Sequence, residues 1–138
     1  MAADKFPTLT PYLVVSSADE AIAFYTKALG AVVRGPIERT EDGRVLNVQL
    51  EIGDSILMLN DAFPEYGSAA PKPGDSVFIT IHIASTNIQA DWDRAVAAGV
   101  EVTMPLDDMF WGDRYGQFRD PFGYKWSIGQ PIDTIPAS

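Results

Sequence analysis

Apolar residues recur along the chain at strand and helix periods, in an order that appears twice. In the first half, the apolar run Leu9–Val15 predicts a strand. A helix is predicted to begin at Ser17, where Glu20 completes a capping-box pattern, and to end at Gly30. The remaining apolar runs of this half predict three strands, at 31–33, 45–52 and 56–60.

The second half repeats this order of elements. Val77–Ala84 predicts a strand, Thr86 with Gln89 resembles a second capping box, and Gly99 is expected to end the second helix. A last strand is predicted at 124–128, after an Asp-Pro-Phe-Gly turn. The glycines that end the helix and form the last turn are 23 positions apart in the first half and 24 in the second. The sequence therefore predicts two βαβββ modules.

We place these modules at about residues 6–61 and 75–130 of one α+β domain that spans residues 1–138. Residues 62–74 are rich in Pro, Gly, Ala and Ser, and are predicted to form the linker. A half-covered sheet of one module buries too little apolar surface to be stable alone, which is a physical reason for the duplication.

The composition excludes several kinds of function. Hydrophobic residues make up 46% of the chain and charged residues 21%, as in ordinary globular proteins. The chain has no cysteine, which excludes disulfides and thiolate metal ligands. A net charge of -9 disfavours nucleic acids and anionic membranes as partners. No apolar stretch approaches the roughly 20 residues of a membrane span, and no signal-peptide pattern is present, so we expect a cytoplasmic protein.

Strand alternation assigns two different faces to each predicted sheet. The isoleucines at 79, 81 and 83 share one side of their strand, and the residues between them, including Phe78 and His82, share the other. In the strand at 45–52, Leu46, Val48 and Leu50 likewise alternate with polar residues. The apolar faces should carry the helices. The mixed faces either form a ligand cavity or are simply exposed to solvent.

Two sets of residues resemble a known family. The segments at 10–15, 21–25 and 28–31 resemble the opening of the vicinal oxygen chelate superfamily, and those at 110–116 and 120–126 resemble its glyoxalase/bleomycin-resistance members, particularly the PhnB-like branch. The resemblance covers residues 9–129. It implies two βαβββ modules that form a cupped, eight-stranded half-barrel, usually in a homodimer.

Metal-using members of that superfamily take four ligands from four strands, commonly His or Gln, Glu, His and Glu. The corresponding positions of this chain hold Thr10, Met58 (or Leu57), Thr80 and Ser127. Neutral hydroxyls and a thioether are poor ligands for divalent ions. We therefore expect no metal and no other cofactor, although a metal centred on His82 with Glu51, Gln49 or Asn60 stays open.

His82 is the only histidine and shares a face with the third of those positions. A single histidine on a strand is commonly structural, but it is also the one candidate catalytic residue, because imidazole can act as a general base near neutral pH. The aromatic residues at 109–115 are expected either to line a cavity mouth or to fill the core or the dimer interface. The residues predicted to bind a ligand are Tyr12, Gln49, Met58, Phe78, His82, Trp111, Tyr115 and Ser127.

Besides a structural or regulatory dimer whose cavity is vestigial, two functions follow from these features. The first is a metal-free protein that binds or sequesters a small organic molecule in a cavity formed by the concave sheet. The alternative is a lyase, isomerase or dioxygenase of the same superfamily with an unusual site around His82, so the sequence leaves open whether the protein is an enzyme. A homodimer is expected in either case, because relatives pair and a concave sheet leaves an edge to cover.

Overall fold

The computed structural model describes residues 6–137 and divides the chain into two compact units after Pro71. The protein is α+β, with two four-stranded mixed sheets and two α-helices in the described residues. The unit boundary falls inside the predicted linker at 62–74. No helix in residues 6–137 has the length and apolar character needed to cross a bilayer.

The elements of the two units follow the same order. The first unit contains β1 (Tyr12–Val15), α1 (Ala18–Leu29), β2 (Val32–Arg39), β3 (Val45–Ile52), β4 (Ser55–Asp61) and a 3-10 helix (Pro64–Tyr66). The second contains β5 (Thr80–Ala84), α2 (Ile88–Ala97), β6 (Glu101–Asp108), β7 (Asp113–Arg119), β8 (Lys125–Pro131) and a 3-10 helix (Ile132–Thr134).

The strand order is also the same in both sheets. The first sheet has the order β1-β4-β3-β2 and the second β5-β8-β7-β6. In each, the first strand pairs in parallel with the last strand of its module, and the other pairs are antiparallel. The predicted βαβββ repeat is thus confirmed within each unit.

Each helix packs its apolar face on one side of its own sheet. Tyr25 of α1 is fully buried, and α1 contacts β3 and β4, whose Leu50 and Leu59 are also fully buried. In the second unit, the ring of Trp92 in α2 meets Phe118 edge-on at 6.0 Å. Gly116 lies under the same indole, where an added Cβ would come within 2.6 Å of the ring.

The first helix begins and ends as its sequence predicts. Ser17 Oγ accepts a hydrogen bond from the backbone N–H of Glu20 at 3.2 Å, which satisfies one of the free amides of the first turn. At the other end, Gly30 takes the left-handed conformation, with φ of 67°, which glycine adopts without a steric penalty.

The cap of the second helix differs from the prediction by one residue. Asn87, not Thr86, is the N-cap, and its side chain accepts from Ala90 N at 3.4 Å. The Thr86 carbonyl instead accepts from the side chain of Gln130, 44 positions away. A contact that distant cannot be read from local sequence.

Other predicted strand features also needed correction, and the strand predicted at 31–33 is Val32–Arg39. β1 and β5 begin three residues later than the apolar runs do, at Tyr12 and Thr80. Leu46 was predicted to face the helix with Val48, but its side chain is 48% exposed and Val45 is buried instead. The register between β2 and β3 shifts beside Val45, and a bulge of this kind reverses the alternation of the faces.

A side-chain oxygen at the end of each module's last strand holds the start of that module's helix. Asp61 Oδ1 accepts from Ala18 N at 2.7 Å, while its Oδ2 accepts from Val45 N at 2.7 Å. At the corresponding end of β8, Gln130 Oε1 accepts from Ile88 N at 2.9 Å. Each acceptor satisfies a first-turn amide that has no partner within its helix, and so fixes the helix on the sheet.

We predict that Asp61→Ala lowers the free energy of unfolding by about 1–3 kcal/mol, because two backbone N–H groups lose their acceptors. Chemical denaturation monitored by circular dichroism measures the change. Asp133→Ala is the control, since Asp133 is exposed and within residues 6–137 its carboxylate has no hydrogen bond. Equal stability of the two variants would contradict the role given to Asp61.

Candidate functional site

Three predicted residues of the first unit are neighbours on the sheet face that α1 leaves uncovered. The register places Tyr12 beside Met58, and Met58 beside Gln49. Asn47 joins this group by donating from Nδ2 to Tyr12 Oη at 2.9 Å and to Met58 Sδ at 3.5 Å. Tyr12 Oη in turn donates to the Leu46 carbonyl at 3.1 Å. Asn47 thus joins Tyr12 and Met58 through hydrogen bonds.

The corresponding strands of the second unit bring His82 beside Ser127, and Ser127 beside Gln117. His82 Nδ1 lies 2.7 Å from Ser127 Oγ. Ser127 is 2% exposed, whereas the residue His82 is exposed. The imidazole is therefore hydrogen-bonded to a buried hydroxyl, while His82 as a residue remains exposed.

Aromatic rings extend this group to the loop before β7. Tyr115 lies in β7, not in the loop, and stacks on His82 with ring centroids 6.0 Å apart and planes 20° apart. Its hydroxyl accepts from Gln117 Nε2 at 3.0 Å. Trp111 meets Tyr115 edge-on at 5.6 Å and is 51% exposed. We call His82, Ser127, Tyr115, Gln117 and Trp111 the histidine cluster.

The eight predicted ligand-binding residues therefore fall into three places. Tyr12, Gln49 and Met58 lie together on the first sheet, and four others lie in the histidine cluster of the second. Phe78 belongs to neither group: it precedes β5 and is 91% exposed. Gln117 was not among the predicted residues, although its even spacing from Tyr115 along one strand would have indicated a shared face.

An open cavity of about 730 Å³ in the first unit was not predicted from the sequence. It lies between the β2–β3 turn, the end of β4 and the 3-10 helix that follows. The residues lining it are Thr40, Glu41, Asp42, Arg44, Leu46, Asn60, Phe63, Tyr66 and Ser68. Three of them come from the segment predicted as linker, where Phe63 is 8% exposed and pairs with Ser68 through two backbone hydrogen bonds.

Arg44 organises the wall of this cavity. Its guanidinium donates two hydrogen bonds to the Glu65 carboxylate, at 2.6 and 3.0 Å, and one to Asp42 at 3.0 Å. The same group lies 4.3 Å from the centre of the Phe63 ring. The hydrogen bonds from Arg44 hold the pKa of Glu65 below its ordinary value, and the pairing raises the pKa of Arg44. The cation is thus already matched by two carboxylates.

The four positions at which the resemblance would place metal ligands do not fit a divalent ion. Ser127 Oγ is bonded to His82, and Met58 Sδ accepts from Asn47. Thr80 is exposed, and the Thr10 hydroxyl is buried without a hydrogen-bond partner. Neutral donors of this kind do not offset the dehydration of a divalent ion. Within residues 6–137, no group of three or more His, Cys, Asp or Glu residues could hold a metal.

Comparison with known proteins identifies the family of this fold. The family model of the glyoxalase/bleomycin resistance protein/dioxygenase superfamily matches residues 6–128. An uncharacterised protein of Mycobacterium bovis is 42% identical over 138 residues, a match that covers 98% of this chain and 90% of the relative.

Solved structures share the architecture. TioX from Micromonospora sp. ML1 superposes with a TM-score of 0.71 at 19% identity, covering 91% of this chain and 98% of TioX. TnmS3, described as an antibiotic binding protein from Streptomyces sp. CB03234, superposes with a TM-score of 0.63 at 25% identity, covering 88% of this chain and 93% of TnmS3.

We predict that Arg44→Met raises the pKa of Glu65 towards its ordinary value, because the lowering comes first from the Arg44 hydrogen bonds. A lowered pKa in the folded state stabilises the protein above the ordinary carboxyl pKa, and this contribution disappears as the pH falls through the lowered value. NMR pH titration of the glutamate carboxyl carbons measures the shift. Lys27→Met is the control, and an unchanged Glu65 titration in Arg44→Met would refute the pairing.

Proposed function

Because the chain belongs to the glyoxalase/bleomycin resistance protein/dioxygenase superfamily, we propose that it binds a small, partly aromatic organic molecule without a metal ion. The observation that carries this proposal is the histidine cluster, in which an accessible imidazole is stacked on Tyr115 and continued by Trp111. We further propose that the chain is of the PhnB-like branch, on the motifs at 110–116 and 120–126.

The histidine cluster combines the two kinds of contact that small-molecule sites need. Aromatic walls give a large contact area at a low cost in side-chain entropy, and a few fixed polar groups orient the ligand. Trp111 is half exposed and Phe110, which meets it edge-on at 5.1 Å, is 97% exposed. These rings present apolar surface that a ligand can cover.

The donor chemistry supports binding without a metal. Of the four ligand positions that metal-using relatives fill, two hold side chains already engaged in hydrogen bonds within the protein. A single imidazole with no second strong ligand beside it does not hold a transition metal tightly. TnmS3, which shares this fold, is described as an antibiotic binding protein, and this description agrees with a binding function.

An enzyme with an unusual site around His82 is the second candidate. The observation that favours it is the hydrogen bond between His82 and Ser127, which fixes an accessible imidazole in one orientation, as a general base requires. Metal content separates metal-free binding from a metal-dependent form of this enzyme, whereas general-base catalysis without a metal is recognised by turnover that His82→Ala abolishes.

We predict that protein purified without chelators contains much less than one equivalent of zinc, nickel, manganese or iron per chain, as measured by elemental mass spectrometry. The His82→Ala variant, compared at equal folding by circular dichroism, should have the same metal content and weaker binding of small molecules. About one equivalent of metal per chain that is lost in His82→Ala would overturn the proposal.

We also propose that the protein is a cytoplasmic homodimer. The edge strands β2 and β6 expose apolar side chains, with Val32 62% and Val102 40% exposed, and exposed edges of this kind favour pairing with another chain. The cysteine-free composition suits a reducing compartment.

Sedimentation equilibrium should show a mass near twice the 15.0 kDa of the chain. Val32→Lys, which places a charge on the exposed edge strand, should shift the equilibrium towards the monomer, whereas Val96→Lys on α2 is the control. A 15.0 kDa species alone at micromolar concentration would contradict the dimer.

A further inference from the structure

The His82 ring is held on three sides within the second sheet. Ser127 Oγ lies 2.7 Å from its Nδ1, and Tyr115 stacks beside it. Beneath the ring is Gly129, where an added Cβ would come within 3.0 Å of His82 Cε1, 3.4 Å of Nε2 and 3.5 Å of Tyr115 Cδ2. The two rings therefore occupy space that any side chain at position 129 would enter.

We infer that Ser127 and Gly129 are positioning residues that hold His82 with a protonated Nε2 facing the ligand, and that the site consequently selects flat aromatic molecules with a hydrogen-bond acceptor at the ring edge. This inference rests on the proposed binding function. It adds the class of ligand and names the two residues that determine it.

The direction of the Ser127 hydrogen bond determines which nitrogen of His82 carries the proton. Ser127 is 2% exposed, and within residues 6–137 its hydroxyl has no hydrogen-bond partner other than His82 Nδ1. If Nδ1 were the donor, the buried hydroxyl proton would have no acceptor, which is costly, so the hydroxyl donates and Nδ1 accepts. A neutral imidazole whose Nδ1 accepts a hydrogen bond carries its proton on Nε2.

The proton on Nε2 is available to a ligand. Within residues 6–137, Nε2 has no protein acceptor, and His82 is exposed. A ligand lying against Tyr115 or Trp111 can therefore accept from Nε2. The ring of Tyr115 or Trp111 supplies a stacking surface near this donor. The complementary molecule is therefore flat and aromatic, and carries an acceptor oxygen or nitrogen at its edge.

Gly129 leaves room for the His82 and Tyr115 rings because it has no side chain. The residue lies in β8 opposite Tyr115 and next to Ala84 of β5. A methyl group there would lie closer to the imidazole than an ordinary van der Waals contact allows. The ring would therefore have to move by a few tenths of an ångström. Gly129→Ala keeps a conformation that a strand allows, and therefore perturbs the two rings without breaking the backbone.

The tautomer is tested without any ligand. In protein labelled with ¹⁵N-histidine at a pH where imidazole is neutral, the ring resonances should show the proton on Nε2. In Ser127→Ala, the Nδ1 resonance should move because its hydrogen-bond donor is lost, while Ser55→Ala, which removes an exposed hydroxyl of the first unit, should leave it unchanged. A proton on Nδ1, or an Nδ1 resonance that Ser127→Ala does not move, would overturn the positioning role.

The ligand class is tested with two flat bicyclic probes followed by NMR titration. Coumarin has only acceptors at its edge, and indole has only an N–H donor. Coumarin should bind the wild type more tightly than indole, and Ser127→Ala and Gly129→Ala should each weaken coumarin by about 2- to 10-fold, the usual range for one neutral hydrogen bond. Equal or tighter binding of indole, or an unchanged preference in both variants, would overturn the ligand class.

The two experiments distinguish failure of the inference from failure of the proposed function. If neither probe binds, this site does not hold flat aromatic molecules, and both the ligand class and the proposed function at this site are refuted. The ¹⁵N experiment still decides whether Ser127 positions His82 in that case. Binding of both probes with the wrong preference refutes the inference alone.

Discussion

One helix per sheet is the constraint from which the rest of this structure follows. A four-stranded sheet has two faces, and the single helix of each module can cover only one of them, with Tyr25 buried in the first unit and Trp92 in the second. Polar groups on the uncovered face need partners if they are removed from water. In both units side chains of the same sheet supply some of these partners, as in the hydrogen bonds of Asn47 with Tyr12 and of His82 with Ser127.

The two units use this arrangement differently. Their sheets share a topology and a register. On the uncovered face of each sheet, the third strand of the module carries a glutamine, Gln49 or Gln117. In the first unit this glutamine lies with Tyr12 and Met58, whereas the second unit contains His82, the only histidine of the chain, followed by exposed aromatic rings. The same scaffold therefore gives one face with little reactive chemistry and one with an imidazole held by hydrogen bonding. We place ligand recognition at the second.

Much of the fold could be predicted from local patterns, because caps and alternation are local. Ser17 caps the start of the first helix and Gly30 its end, as the sequence predicts. The errors arose where a distant or irregular contact decides the outcome. The side chain of Gln130 donates to the Thr86 carbonyl from 44 positions away, and a bulge exposes Leu46. The histidine cluster was predicted in part, because its residues alternate on strands, but the fit of two rings over Gly129 depends on the register of three strands and has no local signal.

Whether the histidine cluster is the ligand site is decided by where a bound molecule lies. Intermolecular nuclear Overhauser effects between coumarin and ¹³C-labelled protein measure that position. We expect contacts from coumarin protons to the rings of Trp111, Tyr115 and His82. Contacts confined to other residues, such as those lining the cavity beside Arg44, would contradict it.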